Sequence, residues 1–337
     1  MPLRRSLPVL LAALALLPAA RAQKTVRINL GTLAPRGSSY HQALLAMGEA
    51  WRKDSGGKVR LVIFTDGTQG TEADMVRLMR INALQAGLLT STGLEDIEST
   101  VAGLQKLPFV FHDFGEFDHI MQVMSPRLEA KLEEKGFHVL FWLDAGWLRL
   151  FSTEPALTPD DFARFKLFVW ADPKQAEILQ RIGQNPVNLE ANDLPTALQT
   201  GLVNAMPAPP IFVLATQLDH RARYMLRINY APLVGAAVIS TAAWDKIPAE
   251  LRPALAEAAR QAGAEIRARS RAESDEAVTA MQKRGLVVRE LTPEAQAQWQ
   301  ALAEKAYPLI RGGLMPADIF DAVQQELAAY RAQHARP

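Results

Sequence analysis

The 337-residue chain contains no cysteine. That one absence excludes disulfides, zinc–thiolate centres, iron–sulfur clusters and thiol nucleophiles. The chain also lacks charge of one dominant sign. Its 37 Lys and Arg stand against 36 Asp and Glu, which leaves no basic footprint for nucleic acid or an anionic membrane surface. Signatures of catalysis and nucleotide binding are missing too: there is no G-x-S-x-G elbow, no G-x-G-x-x-G turn, no P-loop and no H-E-x-x-H. After the N-terminal segment no apolar run reaches roughly 18 residues, so no membrane insertion of the remainder is expected. What is present is ordinary for a packed protein: 49% hydrophobic and 22% charged residues, enough for one large or two medium domains with real cores.

Residues 1–22 read as an export signal. Arg4 and Arg5 give the positive start, Leu7 to Leu17 the apolar stretch, and Ala20-Arg21-Ala22 before Gln23 a small-residue cleavage site. The apolar stretch is too short to span about 30 Å of hydrocarbon, and without cysteine no lipid anchor follows. Removing it leaves 34 basic against 36 acidic residues, and a periplasmic location is expected.

The rest alternates between strand and helix patterns. Thr25–Leu30 and Val59–Thr65 read as strands, and Gly87–Thr92 as a short buried one. Tyr40–Lys53 and Glu72–Asn82 carry apolar residues at helical spacing. A second block has strands at His138–Trp142, Arg149–Ser152, Lys166–Trp170 and Val187–Leu189, with helices from Pro159, Pro173 and Asp193, the last closed by Gly201. From Pro248 to about Lys283 the text predicts one long helix, kinked at one point. A strand at Gly285–Leu291 and helices at Pro293–Ala306 and Pro316–Arg331 complete the chain. Such alternation implies an α/β sheet covered on both faces.

Chemistry-bearing clusters are sparse. His112 and His119, with Asp113, Glu116 and Asp118 between them, can be drawn as a metal site, but Asp113 is better explained as a helix cap. Neighbouring carboxylates such as Asp160-Asp161 diverge by about 100° on a helix and make no acid–base pair. Thr158-Pro159 is a cap followed by Pro at the first helical position. The aromatics Trp142, Trp147, Phe168 and Trp170 gather in one region, as core or as ligand lining. No catalytic residue, metal or cofactor is expected.

Several segments, in order, carry a family resemblance. They are Gly31-Thr32-Leu33-Ala34-Pro35 with Ser38-Ser39-Tyr40-His41, Gly56-Gly57-Lys58-Val59, Leu107-Pro108-Phe109-Val110-Phe111, Leu157-Thr158-Pro159-Asp160-Asp161-Phe162 and Thr196-Ala197-Leu198-Gln199-Thr200-Gly201-Leu202-Val203. Together they cover the chain from about Thr25 to Leu327, and the last is the most specific. The chain resembles the solute receptors of tripartite ATP-independent periplasmic (TRAP) transporters, of the dicarboxylate-receptor (DctP) type. The resemblance implies an α/β, two-lobed periplasmic solute-binding fold (type II-like) with a long connecting helix. Lobe I would comprise residues 23–150 plus about 233–255, and lobe II about 151–232 plus 256–337. It also implies capture of a small organic ligand and delivery to the TRAP permease subunits, rather than catalysis.

The family's binding residues carry over only in part. Its receptors hold a carboxylate on an Arg in the strand that is Lys166–Trp170 here, and the register puts Phe168 at that Arg and Trp170 where Pro is common. Ala208 stands at the family's ligand-supporting Asn, with Met206 nearby. A second family Arg is matched by Arg149, although Gly146-Trp147-Leu148-Arg149 holds one residue more than usual before it. A buried carboxylate needs a partner, so losing the Arg predicts a more apolar cleft lined by Phe168, Trp170, Trp147 and Met206. Ser39, Gln69 and Ser91, in the loop, turn and strand of the first block, join Arg149 and Ala208 in the candidate set. An ordinary carboxylate receptor using Arg149 with another Arg, such as Arg36 or Arg77, is the alternative. A periplasmic enzyme or scaffold on the same fold is the rival from another class.

Overall fold

The computed structural model describes residues 25–334. The proposed export signal at 1–22 lies outside them. The first block runs β1 (Val26–Thr32), α1 (Ser39–Asp54), β2 (Val59–Phe64), α2 (Glu72–Arg80), β3 (Ala86–Thr90) and α3 (Ser91–Ile97). A 3-10 segment at Ser99–Lys106 leads to α4 (Phe114–Glu134) and the long strand β4 (Phe137–Ser152). The second block holds α5 (Pro159–Ala163), β5 (Leu167–Trp170), α6 (Pro173–Arg181), β6 (Pro186–Leu189), α7 (Leu194–Thr200), β7 (Ala205–Ala208) and α8 (Pro210–Ala215). Then come β8 (Tyr224–Ser240), α9 (Thr241–Trp244), α10 (Arg252–Gln282), β9 (Val287–Glu290), α11 (Pro293–Ile310) and α12 (Ala317–His334).

One sheet runs through both lobes in the order β2-β1-β3-β8-β4-β7-β5-β6, with β9 added on β8. The outer groups, β2-β1-β3 and β7-β5-β6, are parallel, as strand–helix alternation demands. The antiparallel pair β4 and β8 joins them. The second half of β8 pairs with β3 and with the start of β4, while its first half pairs with β9 and the end of β4. The β4–β8 register slips between Asp144 and Trp147 and again between Leu148 and Leu150, where the chain passes from one lobe to the other.

Each lobe packs apolar side chains on both faces of its part of the sheet. In the first lobe, Trp51 of α1 is fully buried and donates its indole N–H to Leu255 O at 2.9 Å, fastening α1 to α10. Truncating such a residue to Ala costs about 3–5 kcal/mol. The 31-residue α10 serves both lobes: Ala259, Ala262 and Ile266 pack in the first, Val278 and Met281 in the second. It forms the single long helix expected from the sequence. The C-terminal α12 packs Ile319, Phe320, Val323 and Leu327 in the first lobe's core with α4, although its sequence follows second-lobe elements. The expected strands at His138–Trp142 and Arg149–Ser152 are one continuous β4, and Ser91 begins α3 rather than ending a strand.

A charged network pins the crossover. Asp144 is fully buried, and Arg271 of α10 donates to it at 3.2 and 2.8 Å and to Asp118 at 2.9 and 2.6 Å. The Arg271 guanidinium also lies 4.0 Å over the ring of Phe114. Burial works against charge on Arg271, and the bonds from Asp118 and Asp144 overcome it and raise its pKa. Gly146, with φ +82°, follows directly, a backbone setting that side chains rarely adopt.

Candidate functional site

In open α/β sheets ligands bind beyond the carboxyl ends of parallel strands. Here β1, β3, β5 and β6 end at Thr32, Thr90, Trp170 and Leu189, and the residues at or just after those ends line one cavity of about 450 Å³. Leu33, Thr90 and Thr92 come from the first lobe, and Trp170, Asp172 and Glu190 from the second. The starts of α2 and α6 complete the wall with Thr71, Glu72 and Lys174.

Local chemistry fixes this wall. Thr71 caps α2 in a reciprocal box with Asp74. Glu72, 5% exposed, accepts from Thr90 N at 2.7 Å, Thr90 Oγ1 at 2.6 Å and Gly93 N at 2.9 Å, which ties α2 to the β3–α3 junction. Burial raises the Glu72 pKa, and those three bonds oppose the rise. A Cβ on Gly93 would lie 2.8 Å from Glu72 Cβ, so the close approach requires glycine. Across the cavity, Asp172 caps α6 by accepting from Gln175 N at 3.0 Å. Ala171 before it sits at φ +45°, a strained conformation for a residue with a side chain.

An ion pair crosses between the lobes. Lys106 Nζ, buried at the end of the 3-10 segment, lies 2.6 Å from Glu95 Oε2 and 2.6 Å from Asp172 Oδ2. The first contact is a hydrogen bond. The second is an ion pair whose angle falls short of one. Five acidic residues therefore line the cavity, Glu72, Glu95, Asp96, Asp172 and Glu190, with the carboxylates of Glu72 and Asp172 engaged inside the wall, against Lys174 on the wall and Lys106 behind it. No arginine lines it.

The residues expected from sequence are divided among several places. Trp170 lines the cavity, held by its indole N–H to Pro207 O at 2.9 Å and edge-on to Phe168 and Phe212. Phe168, Met206 and Ala208 are fully buried in the second lobe's core. Phe168 reaches only a void of about 20 Å³ shared with Leu148, Trp170, Pro207 and Tyr230, too small for a solute. Trp147 stacks on Phe114 at 4.8 Å within the first lobe's core. The open cavity therefore does not have the apolar lining expected of Phe168, Trp147 and Met206. Ser39 gives its hydroxyl to Glu273 at 2.7 Å, Gln69 lies in the β2–α2 turn off the cavity wall, and Ser91 is buried between two threonines that do line it.

Arg149 faces elsewhere. Leu148 borders the void beside Phe168, whereas Arg149, inside the second register slip of β4, lines a different recess. Arg149 opens into a separate groove of about 720 Å³ with Arg227, Asn229 and His112. Arg36 and Arg77 are exposed and pair with Asp66 and Asp74, so neither supplies the second cavity arginine of the carboxylate alternative. Asp113 does cap α4, accepting from Glu116 N at 3.0 Å. Among the described residues no three His, Asp or Glu gather as a metal site, and no helix is long and apolar enough to cross a membrane. Sequence alone does not mark the wall acids: Glu72 and Asp172 open helices as first-turn and cap residues, a pattern equally common in structural turns, and Glu95 and Asp96 lie late in the short α3.

Comparison with known proteins agrees with this architecture. Residues 30–311 match the family described as bacterial extracellular solute-binding protein, family 7 (DctP). A C4-dicarboxylate-binding periplasmic protein DctP from Rhodobacter capsulatus is 26% identical over 210 residues, 62% of each chain. An uncharacterized protein of Haemophilus influenzae is 27% identical over 71% of this chain and 73% of its own. Among solved structures, a TRAP periplasmic solute-binding protein from Chromohalobacter salexigens with bound D-glucuronate superposes with a TM-score of 0.82 at 20% identity, covering 89% of this chain and 99% of that one. Another, from Desulfovibrio salexigens with bound orotic acid, gives 0.83 at 18% identity over 90% and 99%. With the family match spanning most of its length, the chain belongs to the family 7 (DctP) bacterial extracellular solute-binding proteins and is a TRAP-type receptor, not an enzyme.

Proposed function

We propose that this receptor works in the periplasm after loss of residues 1–22, captures a small organic solute in the cavity between its lobes, and delivers it to the membrane permease of a TRAP transporter. The observation that carries this reading is the cavity of about 450 Å³ whose walls come from the strand ends of both lobes. Closure and opening then bend β4 and β8 near Gly146, where their register already slips, while Arg271 keeps α10 attached to the crossover.

The solute of this cavity carries no net negative charge. Relatives are described with C4-dicarboxylates, D-glucuronate and orotic acid, all acids. Here five acidic residues and no arginine line the cavity, so a buried carboxylate of the solute would have no bidentate partner and several repelling neighbours. A neutral or amphipathic molecule fits better, its apolar body on Trp170 and its hydroxyl or amine donors toward Asp96 and Glu190, which are exposed. The described ligands of the relatives favour a second reading, an ordinary carboxylate receptor. Mass spectrometry of small molecules co-purified with the mature protein separates the two. A neutral or cationic ligand, released chemically unchanged, supports the first reading; a dicarboxylate supports the second; a converted product overturns both.

A further inference from the structure

The groove lined by Arg149 has features that the interlobe cavity lacks. Arg149 is half-buried there and has no carboxylate of the described residues within 4.0 Å. Its guanidinium donates to the neutral Asn229 Oδ1, and Asn229 is fixed in turn by donating to His112 O at 3.0 Å. Arg227 lies on the same wall, paired with Glu290 at 2.8 Å. Burial first, and Arg227 second, push the Arg149 pKa down to about 10, against the more distant pull of Asp275 and Glu290. A partly desolvated charge without a carboxylate in contact is costly, and an anion bound beside it recovers part of that cost. Phe109 and Leu291 supply apolar wall in the same groove.

We propose that this groove is a second binding site, separate from the interlobe cavity, for a small organic monoanion whose carboxylate pairs with Arg149 and whose body lies against Phe109 and Leu291. Glu290 already offsets Arg227, so one negative charge completes the site and a second is repelled. The groove is about 720 Å³, ample for an aromatic or short aliphatic acid.

The test is titration of the whole mature protein with benzoate, using benzamide and succinate as the neutral and dianionic controls. Saturable benzoate binding is expected, with benzamide and succinate each weaker. Arg149→Gln should weaken benzoate by about tenfold or more, the loss of one charge-assisted hydrogen bond, with Arg149→Lys between the two. Trp170→Ala, at a residue that lines the interlobe cavity and does not line the groove, should leave benzoate binding unchanged. Should Arg149→Gln fail to fold by circular dichroism, the surface change Gln296→Glu on the groove wall serves instead and should weaken benzoate through repulsion. Absence of saturable benzoate binding, equal affinity in wild type and the groove variant, or loss of binding in Trp170→Ala each overturns the proposal. The last result would move the acid into the interlobe cavity and so count against the reading of that cavity as well, whereas the first two leave it standing.

Discussion

Two concave regions of this protein meet neighbouring residues of one strand and carry opposite chemistry. At Leu148 β4 borders the void behind the interlobe cavity, whose wall has five acidic residues and no arginine. One residue later, at Arg149, it opens on a groove holding two arginines. The register slip between Leu148 and Leu150 lies at the place where the two surroundings diverge, so a local irregularity of one strand separates an acidic recess from a basic one.

The comparison needs a rigid β4, and the largest expected effect tests that. Arg271→Met leaves Asp144 buried without its partner, and chemical denaturation should show a loss of about 3–5 kcal/mol. A loss under about 1 kcal/mol would mean that the crossover is held by something else. Next comes the ion pair that crosses between the lobes. Lys106→Met removes the only cation between Glu95 and Asp172 among the described residues, costing roughly 1.5–3 kcal/mol, and small-angle scattering should show the lobes more open. An unchanged scattering profile would separate the pair from lobe closure. At the rim, Thr71→Ala removes the cap of α2 and should cost about 1 kcal/mol in thermal unfolding. The smallest change is favourable: Ala171→Gly relieves the positive φ beside Asp172 and should stabilise by about 0.5 kcal/mol, the balance of strain relief against glycine's extra freedom.

Acid should also act unevenly on the two lobes. Burial would raise the Glu116 pKa, but hydrogen bonds from Arg331 and from His112 N hold it below the ordinary carboxylate value. A depressed pKa in the folded state means stability present above the unfolded value of about 4.3 and lost as pH falls through the lower folded value. Hydrogen exchange below pH 4 should therefore show α12 loosening from α4 before the second lobe changes.

Much of the fold was legible because strand and helix periods alternate cleanly from Val26 to Thr200. The central strand β8 was not. Its second half is buried on both faces and reads as a continuous apolar run, and Pro232 argues against a mid-sheet strand. The structure admits Pro232 opposite Trp147, right beside a register slip. The site was half legible for a related reason. Trp170, in the candidate set through the family register of its strand, lines the cavity, but Phe168, two residues earlier, is buried in the core. Arg149 was assigned through Gly146-Trp147-Leu148-Arg149, where spacing leaves a one-residue ambiguity that only the β4–β8 pairing resolves. The wall acids were invisible because a capping Asp172 or Glu72 looks the same in sequence whether it faces a solute or only closes a helix.

The most direct test of the central claim is isothermal titration of the mature protein with succinate at the interlobe cavity, read in wild type and in Trp170→Ala. The account predicts no saturable heat in the micromolar range from either protein. Submicromolar succinate binding by the wild type, lost in Trp170→Ala, would contradict it and place a dicarboxylate between the lobes.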